Sequence, residues 1–341
     1  MKSIAFFNNK GGVGKTTLVY HIAYMMTELG YRVLVADLDP QANLSSRFLS
    51  ESILDKRIED KKSIFQALLP RIKGIEDVQD SYLEKIDLSP KKTTNDSQDV
   101  YSEKIDNNLF LIIGDLELST FEDQLSESWS RSGDGRESAF RDISAFYRII
   151  EQASEAVEAD FVLIDVGPNF GAINRAALIG ADNIVVPVGA DSFSIQGISS
   201  VGKTLKDWRQ KWKQRLENNP EPTLSLPKGI MNPIGYIVSQ HGVRETRPVK
   251  AYSKWLNRIP YIYSKSILDK EIDEDTLPLD DDNCLGLLKH YRSLIAMSME
   301  VSKPIFSLKS ADGAIGSHNE AVQRAYSDFK ELTKKIIERA I

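Results

Sequence analysis

The strongest chemical signal in the chain is the segment Asn8-Asn9-Lys10-Gly11-Gly12-Val13-Gly14-Lys15-Thr16-Thr17. Glycines lack Cβ atoms, so successive backbone N–H groups can turn inward around phosphate oxygens, and a following helix adds favourable potential at its N-terminus. Lys15 is spaced to reach the β- and γ-phosphates of a nucleotide, and the Thr16 hydroxyl to ligate Mg²⁺. The strict phosphate-loop pattern has glycine at position 9. This chain has Asn9 there, so the segment fits a variant form.

Such a loop needs a strand before it and a helix after it, and the flanking sequence supplies both. Ser3–Asn8 reads as a buried strand. Thr16–Leu29 reads as a helix, with Leu18, Ile22, Met25, Met26 and Leu29 near a 3.6-residue period and Gly30 as its C-cap. Arg32–Ala36 is a second strand, and the βαβ unit implies a parallel sheet covered on both faces. The same grammar restarts at Asp160, with strand Phe161–Ile164, helix Gly171–Ile179, strand Asn183–Val188 and the long helix Ile195–Leu216. A Pro-rich linker, Asn218–Lys228, leads to a further strand, Lys228–Ser239.

The expected fold is one doubly wound, mostly parallel α/β domain over 1–341. Residues 50–158 form an irregular, partly helical excursion within it. That excursion contains a short helix at Ser63–Leu69, a polar loop at Asp87–Asn108, a strand at Leu109–Ile113 and a helix at Glu137–Ala156. Residues 284–341 read as a helical C-terminal region, notably Cys284–Lys303 and Asn319–Ala340.

The loop resembles the deviant Walker A motif of the ParA/MinD ATPases, whose signature is an extra early lysine, here Lys10. Val35-Ala36-Asp37-Leu38-Asp39-Pro40-Gln41-Ala42-Asn43 is similar to that family's second acidic motif, and Leu163-Ile164-Asp165-Val166-Gly167-Pro168 to its Walker B strand end. Ala181–Val188, followed by Asp191-Ser192-Phe193 and Gly197, resembles its next strand and turn. Val166-Gly167 and Asp191 depart from the residues usual there.

The resemblance implies an ATPase that dimerises on ATP binding, with Lys10 crossing to the partner's nucleotide. By the same resemblance Lys10, Lys15 and Asp39 are catalytic, Asp39 positioning the attacking water. Lys10 to Thr17 bind ATP, while Thr16, Asp37, Asp39 and Asp165 act around Mg²⁺. Ser239 and Gln240 would lie near the purine. Adenine rests on family analogy; the guanine-reading Asn-Lys-x-Asp pattern is not present.

A basic run, Lys203, Lys206, Arg209, Lys211, Lys213 and Arg215, shares a helix with an apolar stripe of Leu205, Trp208, Trp212 and Leu216. The stripe would dock the helix and leave charge outward, either as a solvated face or as a phosphate-contacting surface. Lys203, Lys206, Arg209 and Lys213 are the DNA-binding candidates. Arg244, Arg247, Lys250, Lys254 and Arg258 add a second basic stretch. Likeness to partition ATPases favours non-specific DNA and a ParB-like or other activating partner protein. In MinD relatives a terminal amphipathic helix binds membrane. Here Asp328, Glu331 and Glu338 dilute its basic character, so docking on the body is expected instead.

Rival readings are a MinD-like positioner of protein or membrane cargo, a small-molecule ligase or kinase, and a nucleotide-gated binding module with little turnover. The net charge of −6 is mild evidence against a dedicated nucleic-acid binder, though local patches matter more. The lone Cys284 excludes an intrachain disulfide framework and argues against iron–sulfur reductases. No histidine has metal spacing. The absence of a long apolar run and of a signal-peptide pattern points to the cytoplasm.

Overall fold

The computed structural model describes residues 2–88, 108–239, 249–289 and 291–341. Gln240, His241, Arg244, Arg247 and most of the polar loop 87–108 lie outside them. Among the described residues the strands are β1 Lys2–Phe6, β2 Val33–Asp37, β3 Glu84–Lys85, β4 Leu109–Ile112, β5 Phe161–Asp165, β6 Asn183–Gly189, β7 Asn232–Ser239 and β8 Cys284–Leu288. They form one sheet in the order β3-β4-β2-β5-β1-β6-β7-β8. Each neighbouring pair is parallel except β3 with β4. The chain reverses direction of travel across the sheet on either side of β1 and β5, so the loops leaving those central strands share one edge.

The sheet is buried on both faces, and β1 makes the reason visible. Side chains along β1 and the residue after it divide: Ala5 and Phe7 enter one apolar cluster, Ile4 and Phe6 the other. The first cluster takes the helices Glu122–Arg131, Ala145–Ala156, Ala172–Ile179 and Ser192–Glu217. The second takes Lys15–Glu28 and the terminal helix Ser317–Ala340. Period-two side chains with no polar face leave a parallel strand stable only between two layers.

Several expectations are corrected. Cys284-Leu285-Gly286-Leu287-Leu288 is an edge strand paired with β7, and the helix begins only at Arg292. A short apolar run fits either period, and the open β7 edge decided it. The expected helix Glu137–Ala156 is two, Glu137–Ile143 and Ala145–Ala156. At Ser144 the backbone turns to ψ 0° and the hydroxyl bonds back to Phe140 O. β7 starts at Asn232 rather than Lys228, because Gly229 and Met231 hold positive φ.

The described parts of 50–158 are more helical than expected. Arg71–Asp142, Arg141–Asp77 and Arg148–Asp77 ion pairs tie three of the helices to one another and to the loop residue Asp77. The terminal helix docks on the body as expected, burying Val322, Ala325, Phe329, Leu332, Ile336 and Ala340. No helix among the described residues is long and apolar enough to cross a membrane.

Candidate nucleotide site

β1 ends at Phe6 and the helix begins at Lys15, so the glycine loop spans the C-terminal edge of the sheet between them. Gly12 and Gly14 hold φ of 75° and 84°, the left-handed region that a side chain disfavours. Beside Gly11 and Gly12 the space is open: a Cβ there would meet no atom within 4 Å. The loop is pinned from below by Asn8, whose Nδ2 donates to Pro187 O at 2.7 Å and whose Oδ1 accepts from Lys10 N at 3.0 Å.

Behind this cradle stand the strand-end carboxylates. Asp37 and Asp165 are register partners on the adjacent strands β2 and β5, both fully buried. Thr16 Oγ1 donates to Asp165 Oδ2 at 2.7 Å. Burial, with Asp37 alongside, pushes the Asp165 carboxyl up. Lys15 is nearly buried too; burial lowers its ammonium pKa while Asp165 and Asp39 oppose that.

Asp37 is held differently. Its Oδ2 accepts from Ser45 N at 2.7 Å and Ser45 Oγ at 2.8 Å, and Ser45 Oγ in turn accepts from Gly114 N. Burial still drives the Asp37 carboxyl up to about 7. Asp39, close to buried, receives Gln41 N on Oδ1, and a Cβ at Gly167 would come 3.4 Å from the same oxygen. Gly167, where the sequence departs from the family pattern, therefore runs close beside Asp39.

Lys10 is engaged within its own chain. Its Nζ meets Asp191 Oδ2 at 2.6 Å and Ser194 Oγ at 3.3 Å. Burial alone would raise the Asp191 carboxyl, but the bonds from Lys10 and Ser194 together hold it below its ordinary value. Ser239, at the end of β7, borders the loop from the other side: a Cβ on Gly14 would lie 3.7 Å from Ser239 Oγ. The structure thus brings Lys15, Thr16, Asp37, Asp39, Asp165 and Ser239 to one edge. Ser45 and Ser194 are not legible in the sequence, since a lone serine several residues from an acid has no readable spacing.

Residues 1–218 match the family model described as an AAA domain. The chromosome partitioning protein ParA of Caulobacter vibrioides is 25% identical over 64% of this chain and 67% of its own length. Among solved structures, a Corynebacterium diphtheriae protein superposes with TM-score 0.66 at 19% identity, covering 100% of this chain and 99% of that one. McdA from Cyanothece, in complex with ATP, gives TM-score 0.58 at 14% identity over 99% and 96% of the two chains. The chain belongs to the ParA-like P-loop ATPases.

The ParA-like site fits a magnesium ion. Asp37 Oδ1 and Asp165 Oδ1 are buried without a hydrogen-bond partner, beside the Thr16 hydroxyl. Yet no group of three acidic, histidine or cysteine side chains among the described residues gathers closely enough to hold a metal unaided. Mg²⁺ is usually bound through one or two protein ligands together with phosphates and water, so a hydroxyl and a carboxylate suffice as the protein's share. Thr16 and Asp165 are the residues that would hold it.

The basic helix of this ParA-like chain, Ser192–Glu217, sorts the DNA-binding candidates. Lys203 and Lys213 are exposed. Lys206 pairs with Asp269. Arg209 is half-buried and already engaged: its guanidinium donates to Ile230 O at 2.9 Å and Met231 O at 2.7 Å, stapling the helix to the residues before β7. Arg215 lies 4.1 Å from the centre of the Trp129 ring and bonds Trp129 O, so it too is structural. Trp208 and Trp212 are buried as the apolar stripe implied, with Trp212 Nε1 donating to Pro227 O. From the second basic stretch, Lys254 and Arg258 are exposed beside the Trp255 ring.

Proposed function

We propose that this ParA-like chain is an ATP-hydrolysing switch of the DNA-partition type. It binds ATP with magnesium, dimerises, engages DNA without reading its sequence and is reset by an activating partner protein in the cytoplasm. The observation that carries the reading is the Thr16–Asp165 bond set beside the nearly buried Lys15 at the foot of an open glycine loop. Three buried carboxylates face one ammonium, and Asp37 Oδ1 and Asp165 Oδ1 have no partner, so a divalent cation carrying phosphate would offset the charge left uncompensated there.

In this reading the loop N–H groups hold the β- and γ-phosphates and Lys15 offsets their charge. Bound Mg²⁺ supplies Lewis-acid stabilisation at the phosphate oxygens. Asp39 accepts a hydrogen bond from the attacking water and orients it in line with the γ-phosphorus; the products are ADP and phosphate. Lys10 leaves Asp191 for the nucleotide of a second copy, completing the positive charge that stabilises the transition state. Turnover then depends on dimerisation.

Exposed Lys203, Lys213, Lys254 and Arg258 support phosphate-backbone contact. The terminal helix, whose apolar face is consumed by the core, supports this reading over a membrane-bound one. The test is ATP titration, steady-state turnover and light scattering of the full chain, each with and without duplex DNA. Absence of ATP uptake sinks the proposal, as does turnover by a species that stays monomeric.

A further inference from the structure

The helix Ala172–Ile179 begins at Gly171, which has no side chain to cap it. Its first two free N–H groups are taken instead by one carboxylate from elsewhere in the chain. Ala172 N donates to Glu122 Oε1 at 2.5 Å and Ile173 N to Glu122 Oε2 at 2.9 Å. Glu122 opens the helix Glu122–Arg131, within the 50–158 region that carries no motif of its own. A Cβ on Gly171 would fall 2.7 Å from Glu122 Oε1, so glycine at 171 is what lets the carboxylate in.

The turn held by this cap is the one leaving the Walker B strand. Asp165 ends β5, and residues 166–171 run from it to the capped helix. Asn174 closes the turn from the far side, with Nδ2 donating to Gly167 O and to Asn169 O, each at 2.8 Å. The turn passes close to the acidic motif: a Cβ built on Gly167 would lie 3.4 Å from Asp39 Oδ1. A continuous path therefore runs from Glu122 through the helix start and the turn to the carboxylate beside the phosphate cradle.

We propose that Glu122 is a positioning residue for ATP hydrolysis. It fixes the turn 166–171 that passes beside Asp39, and so gives the 50–158 region a hold on turnover through that turn. The inference rests on the ATPase reading above. A carboxylate that bonds two N–H groups at a helix start is favoured by the helix dipole as well as by the bonds themselves, so the clamp is strong while it lasts. Glu122 bonds the helix start and not the phosphate loop or the strand-end carboxylates; its effect passes through the turn. Small displacements of a water-orienting group lower rate far more than they lower affinity.

The experiment compares the full-length wild type with Glu122→Ala and Glu122→Gln. It measures steady-state ATP turnover and amide hydrogen exchange of the peptides spanning 166–179. Glu122→Ala is expected to lower kcat by about tenfold with KM for ATP within about twofold, and to speed exchange in 166–179 but not in β1 or β5. Glu122→Gln, which keeps one acceptor, should recover part of both losses. Wild-type rate and protection in Glu122→Ala overturn the proposal. So does a fall in kcat accompanied by faster exchange throughout the sheet, which marks a merely structural role. Failure of the wild type itself to turn over ATP sinks the ATPase reading and this role with it, a result distinct from an inert substitution.

Discussion

Lys10 Nζ sits 2.6 Å from Asp191 Oδ2, tying the extra lysine of the phosphate loop to the start of the basic helix in its own chain. Both side chains are about one-third exposed, at 33% and 38%. A pair so open to water is worth about 1 kcal/mol at most, so a nucleotide on a second copy can outcompete it.

Asp191→Asn should therefore ease dimerisation, lowering the ATP concentration at half-maximal dimer by up to about fivefold in light scattering. Lys10→Ala should do the reverse, abolishing the ATP-dependent dimer and reducing turnover by about 10³-fold, the scale of a removed transition-state cation. Equal dimerisation by wild type and both variants would remove Lys10 from the mechanism.

On the basic helix, Lys203→Ala with Lys213→Ala should weaken binding to any duplex alike. The slope of log affinity against log salt should flatten by about two, roughly 0.9 for each phosphate no longer neutralised. Fluorescence anisotropy over a salt series with ATP reads this directly. Arg209→Ala should instead lower the melting temperature, because two backbone carbonyls lose their donor.

His21 gives the fold an acid-sensitive point. It is fully buried; its Nδ1–H donates to Thr17 O at 2.7 Å, its Nε2 accepts from Ile305 N at 3.1 Å, and its ring stacks on Phe329. Burial depresses its pKa from 6.5 to about 3. Between those values the unfolded chain binds the extra proton, so stability falls as pH drops through the window and is unaffected by this group above it. Urea unfolding should show a loss of roughly 3 kcal/mol from this ring between about pH 6.5 and 4. His21→Gln should be weaker at pH 7 yet lack that component.

Gly202 marks where the basic helix meets the segment Ser264–Leu268. A Cβ there would fall 2.1 Å from Ser266 O, a backbone atom that cannot swing aside. Gly202→Ala should cost about 1–3 kcal/mol in thermal unfolding by forcing the two apart. It should also disturb the neighbouring Ser199–Ser266 hydroxyl contact at 3.1 Å.

The sequence by itself determined the strand–loop–helix at Ser3–Leu29 and the strand ends at Asp37 and Asp165, and with them the family. Each is a short-range pattern: glycines and lysines at fixed spacing, or an apolar run ending in an acid. Such patterns reflect backbone geometry that does not depend on distant partners. The tertiary structure alone decided that Lys10 rests on Asp191, that Arg209 bonds two carbonyls, that Cys284–Leu288 is a strand and that Glu122 caps the helix at Ala172. Those contacts join residues far apart in the chain, and no spacing rule connects them. Only the folded sheet brings their edges together, where hydrogen-bond demand and available space choose between a surface charge and a staple.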